Sequence, residues 1–396
     1  MCILKENELG VMHPAILGLS FDSRTIKPGD LFLAFKGNNY DGHDYVLDAF
    51  KKGASCALVS RYVCENNIIV DSVLDQLIEI AKKKRSECDA VFIAITGSVG
   101  KTTARNIIAD SLIRAGKKVY QPIKNYNNLL GVAFTLAQIP SGSDFVIMEI
   151  GTDFPGEIDL LTKLIKPDYS LITHIGSAHI ASFGSLFNIL CEKSDIINAT
   201  KKKIFFNDAY WYGSYLRQKA SKFGIEYAVF SSFNGSFQDL YSCVEKVLSE
   251  FNIKIDRFFW PSGRGEIIDV TYGDVKLQII DSSYNANFFS MKAAISQLQE
   301  YENLHKIAVL SDMKALGLKS FRYHELLQDY LYGLDVVLYG NEMKFLHLHL
   351  KNSVWAESWQ KLIEIIEKKL VNNSILLFKG SNDADFLRVV ECFKNQ

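Results

Sequence analysis

The run Thr96-Gly97-Ser98-Val99-Gly100-Lys101-Thr102-Thr103 has the residue types and spacing to hold a chain of phosphates. It follows the apolar stretch 90–95 and opens the segment 104–115, whose apolar residues fall at helical spacing. A strand, a glycine turn and a helix start in that order point backbone N–H groups at phosphate oxygens. Lys101 adds a cation for the β- and γ-phosphates, and the Thr102 hydroxyl can hold Mg²⁺. Ile95 stands where the general G-x-x-x-x-G-K-T spacing has its first glycine, so this is the shorter T-G-S-x-G-K-T-T form.

Other residues gain meaning from this loop. Glu149 ends the apolar run 145–149, and Gly151 follows. A carboxylate at the C-terminal end of a strand beside a phosphate loop faces the ligand crevice and offers hard oxygen donors to Mg²⁺. Alone it reads equally as a surface acid. His179 sits in 177–185, where a strand end turns into a helix, and by itself reads as structural more readily than catalytic. Lys193, on the next helix, reads in isolation as a solvated charge. Asn127 and Asn128 precede the helix that begins near Leu129. They are turn formers, or they line a substrate channel. The loop Asp281-Ser282-Ser283-Tyr284-Asn285-Ala286-Asn287 follows a strand and admits the same two readings.

The elements that must position these residues fall into three blocks, 1–85, 86–262 and 263–396. The first carries hairpin-like patches at 17–23 and 30–36, an amphipathic segment at 45–52 and a strand at 57–60. Its charged end, 82–87, reads as a helix end before a linker, and nucleic-acid binding by so short a run is not expected. The second alternates strands at 91–95, 145–150, 169–173 and 203–206 with helices. The third does so with strands at 277–280, 307–310, 336–339 and 375–378 and helices at 290–301 and 359–370. Such alternation predicts parallel sheets covered by helices, an α/β fold. Residues 261–265 read as the hinge between the last two blocks.

Composition bounds the rest. The 396 residues allow two or three domains with their own cores, and 48% of them are apolar. A net charge of −1 argues against a nucleic-acid binder. The N-terminus lacks the pattern of a secretory leader, and no apolar run reaches the ~18 residues of a membrane span, so no membrane insertion is expected. The cysteines, at positions 2, 56, 64, 88, 191, 243 and 392, form no CxxC pair and fit neither a disulfide framework nor a zinc site. The cytoplasm is the expected compartment.

The ordered series of these motifs resembles the Mur ligases, which build peptidoglycan precursors. The resemblance runs from Asp22 to about Ser381. It includes Asp22-Ser23-Arg24, Pro28-Gly29-Asp30-Leu31-Phe32 and Asp41-Gly42-His43-Asp44-Tyr45 in the first block. The centre adds T-G-S-V-G-K-T-T, N-Y-N-N-x-x-G, Pro155-Gly156-Glu157-Ile158 and A-H-I-x-x-F-G-S. The last block adds Gly263-Arg264, S-Y-N-A-N-x-x-S-M, Asp312-Met313 and Lys379-Gly380-Ser381. Within the family the series is most similar to the branch that adds D-alanyl-D-alanine to a UDP-MurNAc-tripeptide.

The resemblance implies a small α/β UDP-binding domain, a central P-loop ATPase domain with a mainly parallel sheet, and a C-terminal Rossmann-like α/β domain. It implies a ligase that uses ATP and Mg²⁺ and works through an acyl phosphate; a monomer is expected. Thr96, Gly97, Ser98, Gly100, Lys101, Thr102 and Thr103 would bind the nucleotide, with Tyr284, Asn285 and Asn287 approaching from the third domain. Thr102, Glu149, His179 and a CO₂-carbamylated Lys193 would hold magnesium. Lys101, Arg264, His179 and Lys193 would be catalytic, Arg264 at the γ-phosphate. Ser23, Arg24, Asp41, Gly42, His43, Asn127 and Asn128 would hold the substrate. The chain departs from the pattern at Ala181, Ser282, Phe288, Ser311 and Ala315, and residues 207–256 match nothing recognisable. Two alternatives stay open: a related ligase acting on another carboxylate, such as that of a tetrapyrrole, and a nucleotide-binding protein without ligase activity.

Overall fold

The structure is a computed structural model; it describes residues 16–37, 39–122, 125–230, 237–255, 262–381 and 384–394. The residues on which the reading of the N-terminus rested, and Pro261 of the expected hinge, lie outside these. Three sheets follow one another along the chain.

The first consists of β1 (Gly18–Ser20), β2 (Asp30–Leu33), β3 (Cys56–Val59) and β4 (Asn67–Ile69), with α1 (Val46–Lys51) between β2 and β3. All neighbours are parallel, in the order β1-β2-β3-β4. This corrects the hairpin reading of 17–36. Gly18 pairs with Asp30 and Ser20 with Phe32, so residues 21–29 carry the chain back to the start of the sheet instead of reversing it. Alternating apolar residues look the same in either direction, and only the length and turns of the connection decide.

Helix α2 (Val73–Ser86) begins at an N-cap, Ser72, whose side chain accepts from Asp75 N–H. It packs on α4 (Leu129–Ala137) of the next unit. The charge run does end a helix, as expected, and one of its charges is buried. Arg85 is buried over the Phe92 ring, 3.7 Å from its centroid, and donates to the carbonyls of Ile165 (2.6 Å) and Lys166 (2.9 Å). Those carbonyls end a helix of the central unit, where orphan acceptors and the helix dipole favour a cation.

The central sheet has the order β10-β9-β8-β5-β7-β6, all parallel. Its strands are β5 (Val91–Thr96), β6 (Val119–Tyr120), β7 (Phe145–Glu149), β8 (Tyr169–Ile172), β9 (Lys203–Asn207) and β10 (Glu226–Phe230). Helices α3 (Lys101–Arg114), α4, α5 (Glu157–Ile165), α6 (Ile180–Phe183), α7 (Leu186–Ser194), α8 (Gly213–Phe223) and α9 (Phe237–Ser249) cover it. Among the described residues, the unrecognised stretch 207–256 therefore supplies one more strand and two helices. Cys243, Val244, Val247 and Leu248 of α9 pack with Ile107, Ile108 and Leu112 of α3 in the core on that face.

The third sheet has the order β11-β12-β16-β13-β14-β15. Its strands are β11 (Glu266–Tyr272), β12 (Val275–Ser282), β13 (His305–Ser311), β14 (Asp335–Tyr339), β15 (Ser353–Ala356) and β16 (Ser374–Lys379). Only β11 runs antiparallel, joined to β12 by a tight turn. Its helices are α10 (Phe288–Gln299), α11 (Ser320–Glu325), α12 (Met343–His349), α13 (Trp359–Lys369) and α14 (Phe386–Lys394). The run after Pro261 is fastened to the β12–α10 loop: Gly265 N–H donates to Asp281 O (2.6 Å) and Tyr284 N–H to Gly263 O (2.9 Å).

Candidate active site

Strand β5 is central, flanked by β7 and β8, and its last residues are fully buried. The loop 97–100 therefore emerges at the carboxyl edge of the sheet, where ligands of parallel α/β folds bind. Gly100 takes φ +83° and makes no side-chain cap, so the first N–H groups of α3 stay available for an anion. Gly97 takes φ +149°, and a Cβ there would lie 2.0 Å from Thr173 Oγ1 and 3.1 Å from the His174 backbone. Gly97→Ala is thus expected to destabilise the chain by about 1–3 kcal/mol, as overpacking does. Thermal unfolding and nucleotide titration check it; unchanged stability and affinity would contradict the close packing.

The loop is held from the β8 side. Ser98 N–H donates to His174 O (2.7 Å), and Ser98 Oγ bonds both Gly176 O (3.0 Å) and Gly176 N–H (2.9 Å). Thr96 is buried, and its hydroxyl donates to Ile150 O (3.0 Å). The side chains of Thr96 and Ser98 are thus committed to shaping the loop. Lys101 Nζ arches back to Gly97 O at 2.8 Å. Burial lowers its pKa, and Glu149 works against that.

Register places the carboxylate. Ile95 pairs with Glu149, so the end of β7 lies beside the loop. Glu149 Oε2 accepts from Thr102 Oγ1 (2.7 Å) and Oε1 from Asn127 Nδ2 (3.1 Å), with Arg105 Nη1 at 3.9 Å. Burial pushes the Glu149 carboxyl up, but Lys101, Thr102, Arg105 and Asn127 together leave it below its ordinary value. Arg105 was missed in the sequence, although it lies one helical turn after Lys101 on α3 and so shares its face.

These groups open onto a cavity of about 1140 Å³ between the central and third sheets. Lys101, Thr102, Thr103, Asn127, Asn128, Glu149, His179, Lys193, Arg264, Tyr284, Asn285 and Asn287 all line it. Asn128 also caps α4, accepting from Gly131 N–H at 2.9 Å. Asn287 caps α10 in a reciprocal pair with Ser290 and reaches Ser98 O (3.4 Å) across the two units. Tyr284 Oη bonds Asn125 Nδ2, and the Arg264 guanidinium lies over the Tyr284 ring, 4.0 Å from its centroid. Lys379, also missed, is buried with Nζ on the carbonyls of Ser282 (3.2 Å) and Asn285 (2.5 Å), pinning that loop.

His179 takes the left-handed conformation, φ +60°, as the cap of α6. Such a residue marks a functional candidate. Its Nδ1 meets Asp153 Oδ1 at 3.0 Å, and burial lowers its pKa against that neighbour. A neutral ring donating from Nδ1 leaves Nε2 as an acceptor. Lys193 is 2% exposed, and among the described residues no carboxylate lies within ion-pair distance of its Nζ. Burial foremost, then Lys101, pushes it down to about 7. The preceding Glu192 is occupied elsewhere: it accepts from Gly156 N–H (2.7 Å) and Ile158 N–H (2.9 Å) and so caps α5.

No group of three or more His, Cys, Asp or Glu close enough to hold a metal occurs among the described residues. The paired oxygens of Thr102 and Glu149 still suit Mg²⁺, which takes one or two protein oxygens and completes its shell with phosphate and water. Ser23, Arg24, Asp41, Gly42 and His43 do not line this cavity; they belong to the first unit. There the His43 ring is buried between Asp41 (2.5 Å) and Ser60 N–H (2.9 Å), and Arg24 is exposed and paired with Asp22 (2.8 Å).

A phosphate loop facing a second α/β unit across a cavity with charged groups at the loop defines a nucleotide-dependent enzyme of three units. Family models match in succession: Mur ligase family, catalytic domain at 15–96; Mur ligase middle domain at 95–277; and Mur ligase, glutamate ligase domain at 263–382. The chain belongs to the Mur ligase family and is an ATP-dependent ligase that forms amide bonds. It is 30% identical to the UDP-N-acetylmuramoyl-tripeptide–D-alanyl-D-alanine ligase of Rickettsia prowazekii over 95% of this chain and 95% of that one. In fold it is similar to MurF from Acinetobacter baumannii (TM-score 0.85, 23% identity, 96% and 94% of the two chains). It is also similar to MurF ligase from Thermotoga maritima in complex with ADP (TM-score 0.83, 22% identity, 95% and 97%).

Proposed function

We propose that this chain joins D-alanyl-D-alanine to the C-terminal carboxylate of a UDP-MurNAc-tripeptide, completing a peptidoglycan pentapeptide precursor. The full-length similarity to a ligase of that name carries the reading, together with the convergence of the phosphate loop, Glu149 and the Tyr284–Asn287 loop on one cavity. The tripeptide carboxylate takes the γ-phosphoryl group of ATP and becomes an acyl phosphate. The dipeptide amine then attacks the carbonyl carbon, and phosphate leaves.

Two anions must meet in the first step. Lys101 and Arg264 supply positive charge at the transferring group, the use of fixed charge that most lowers such barriers. Thr102 and Glu149 would hold one Mg²⁺, and His179 with carbamylated Lys193 a second; the metal supplies charge neutralisation at the phosphates. The acyl phosphate must be kept from water, and the third unit, docked through Asn287 and Tyr284, covers the cavity on that side. We assign UDP-sugar binding to the first unit, through Ser23, Arg24 and the 41–43 turn, with Asn127 and Asn128 facing the peptide end. The three units divide at 85 and 262. We place the enzyme in the cytoplasm as a monomer; none of the described helices is long and apolar enough to cross a membrane.

The test combines the full-length chain, ATP, Mg²⁺, D-alanyl-D-alanine and a UDP-MurNAc-tripeptide ending in meso-diaminopimelate or lysine. Mass spectrometry should find the pentapeptide product, and phosphate release should require both substrates. Phosphate release indifferent to the dipeptide, or amide formation only with an unrelated carboxylate, would overturn the assignment.

A further inference from the structure

The phosphate loop has two unlike flanks. Toward β7 stand Glu149, Asn127 and Lys193, charged or polar. Toward β8 and β9 stand His174, Asn207, Tyr210, Leu240 and Phe289. A nucleotide laid on the loop carries its charge at one end and a flat ring at the other. Charge favours the first flank, and an aromatic face favours the second.

His174 lies at the centre of that second flank. Its ring centroid is 4.9 Å from Tyr210 and 4.9 Å from Phe289, the latter from the third unit. Its Nδ1 is 3.4 Å from Tyr212 Oη. Its Nε2 is buried and has no hydrogen-bond partner. A buried ring nitrogen without a partner bears its full desolvation cost, and native structures rarely leave one so without a reason.

We propose that His174 reads the nucleobase: Nε2 accepts a hydrogen bond from the exocyclic amine of an adenine held against Tyr210 and Phe289. This rests on the nucleotide-dependent reading of the cavity. Burial pushes the imidazole down to about 4, so the ring is neutral near pH 7 and one nitrogen must accept. The Tyr212 hydroxyl can meet Nδ1 as donor or acceptor; Nδ1–H is assigned here as the donor, which makes Nε2 the acceptor. Guanine would present a carbonyl oxygen at the same place, setting lone pair against lone pair. The site therefore selects ATP over GTP.

The full-length chain with Mg²⁺, and without either ligase substrate, is titrated by calorimetry with ATP and with purine riboside 5′-triphosphate, which lacks the amine. The wild type should bind the analogue about tenfold more weakly, the scale of one lost hydrogen bond. His174→Phe keeps an aromatic ring but has no acceptor, and should bind both nucleotides alike. His174→Leu serves if that variant does not fold. Equal binding of the two by the wild type overturns the proposal, as does a gap that persists in the variant. Failure of the dipeptide assignment would leave these titrations unchanged, whereas failure to bind any nucleotide would overturn the nucleotide reading itself.

Discussion

Lys101→Ala should slow ligation by on the order of 10²–10³ while leaving the fold intact, the cost of removing one charge-stabilising donor from a transferring group. Nζ already lies over the loop, 2.8 Å from Gly97 O, so it needs little rearrangement to meet a phosphate. The substitution has a second consequence. Lys101 is the strongest of the groups that hold the Glu149 carboxyl below its ordinary value against burial. Without it, burial acts with less opposition and the Glu149 pKa rises. A carboxyl with a depressed folded pKa contributes stability that is lost as pH falls through that pKa. The acid limb of the pH–rate profile, and of the stability profile, should therefore move to higher pH in the variant. Single-turnover phosphate release and circular dichroism across pH 4–8 check both parts. Turnover near that of the wild type would remove Lys101 from the reaction.

Lys193→Ala should cost on the order of 10² in activity, as removal of a metal-supporting group does. A buried ammonium beside Lys101 would repel a cation. Capture of CO₂ by the neutral amine forms an N–C bond, releases one proton and turns the group into an anion with two hard oxygens. The geometry suits that chemistry: Nζ is buried, lines the cavity and has no carboxylate partner among the described residues. Its pKa near 7 means that the amine is increasingly protonated as pH falls below that value. Removing CO₂ should therefore inactivate the wild type more severely at pH 6 than at pH 8, because the ammonium cannot recapture it. Acetate should partly restore Lys193→Ala by filling the vacated anion site. Full activity of Lys193→Ala in CO₂-depleted buffer would return the residue to a structural role.

The local signals were legible because they depend on neighbours in sequence. A glycine turn between a buried strand and a helix can be read from residues 90–115 alone, and so can Glu149 at the end of an apolar run. Alternation of strand and helix implied parallel sheets; the central sheet is parallel throughout and the third is parallel apart from its edge strand β11. In 207–256, α9 carries apolar residues at helical spacing and was open to the same reading, which shows that a motif search passes over segments without motifs.

Other features depended on which strands become neighbours. The direction of β1 against β2 is absent from their apolar pattern, because a side-chain period of two is the same either way. Nothing in the charge run 82–87 sets Arg85 apart; its burial follows from α5 bringing its terminal carbonyls beside it. His179 and Lys193, each unremarkable in isolation, share a cavity only because their loop and helix follow β8, next to β5. His174 gave no signal at all; its unpartnered nitrogen exists only where Tyr210, Tyr212 and Phe289 close around it from two units. Short-range order is written in spacing, whereas desolvation and the partners of buried polar groups are set by packing between segments far apart in the chain.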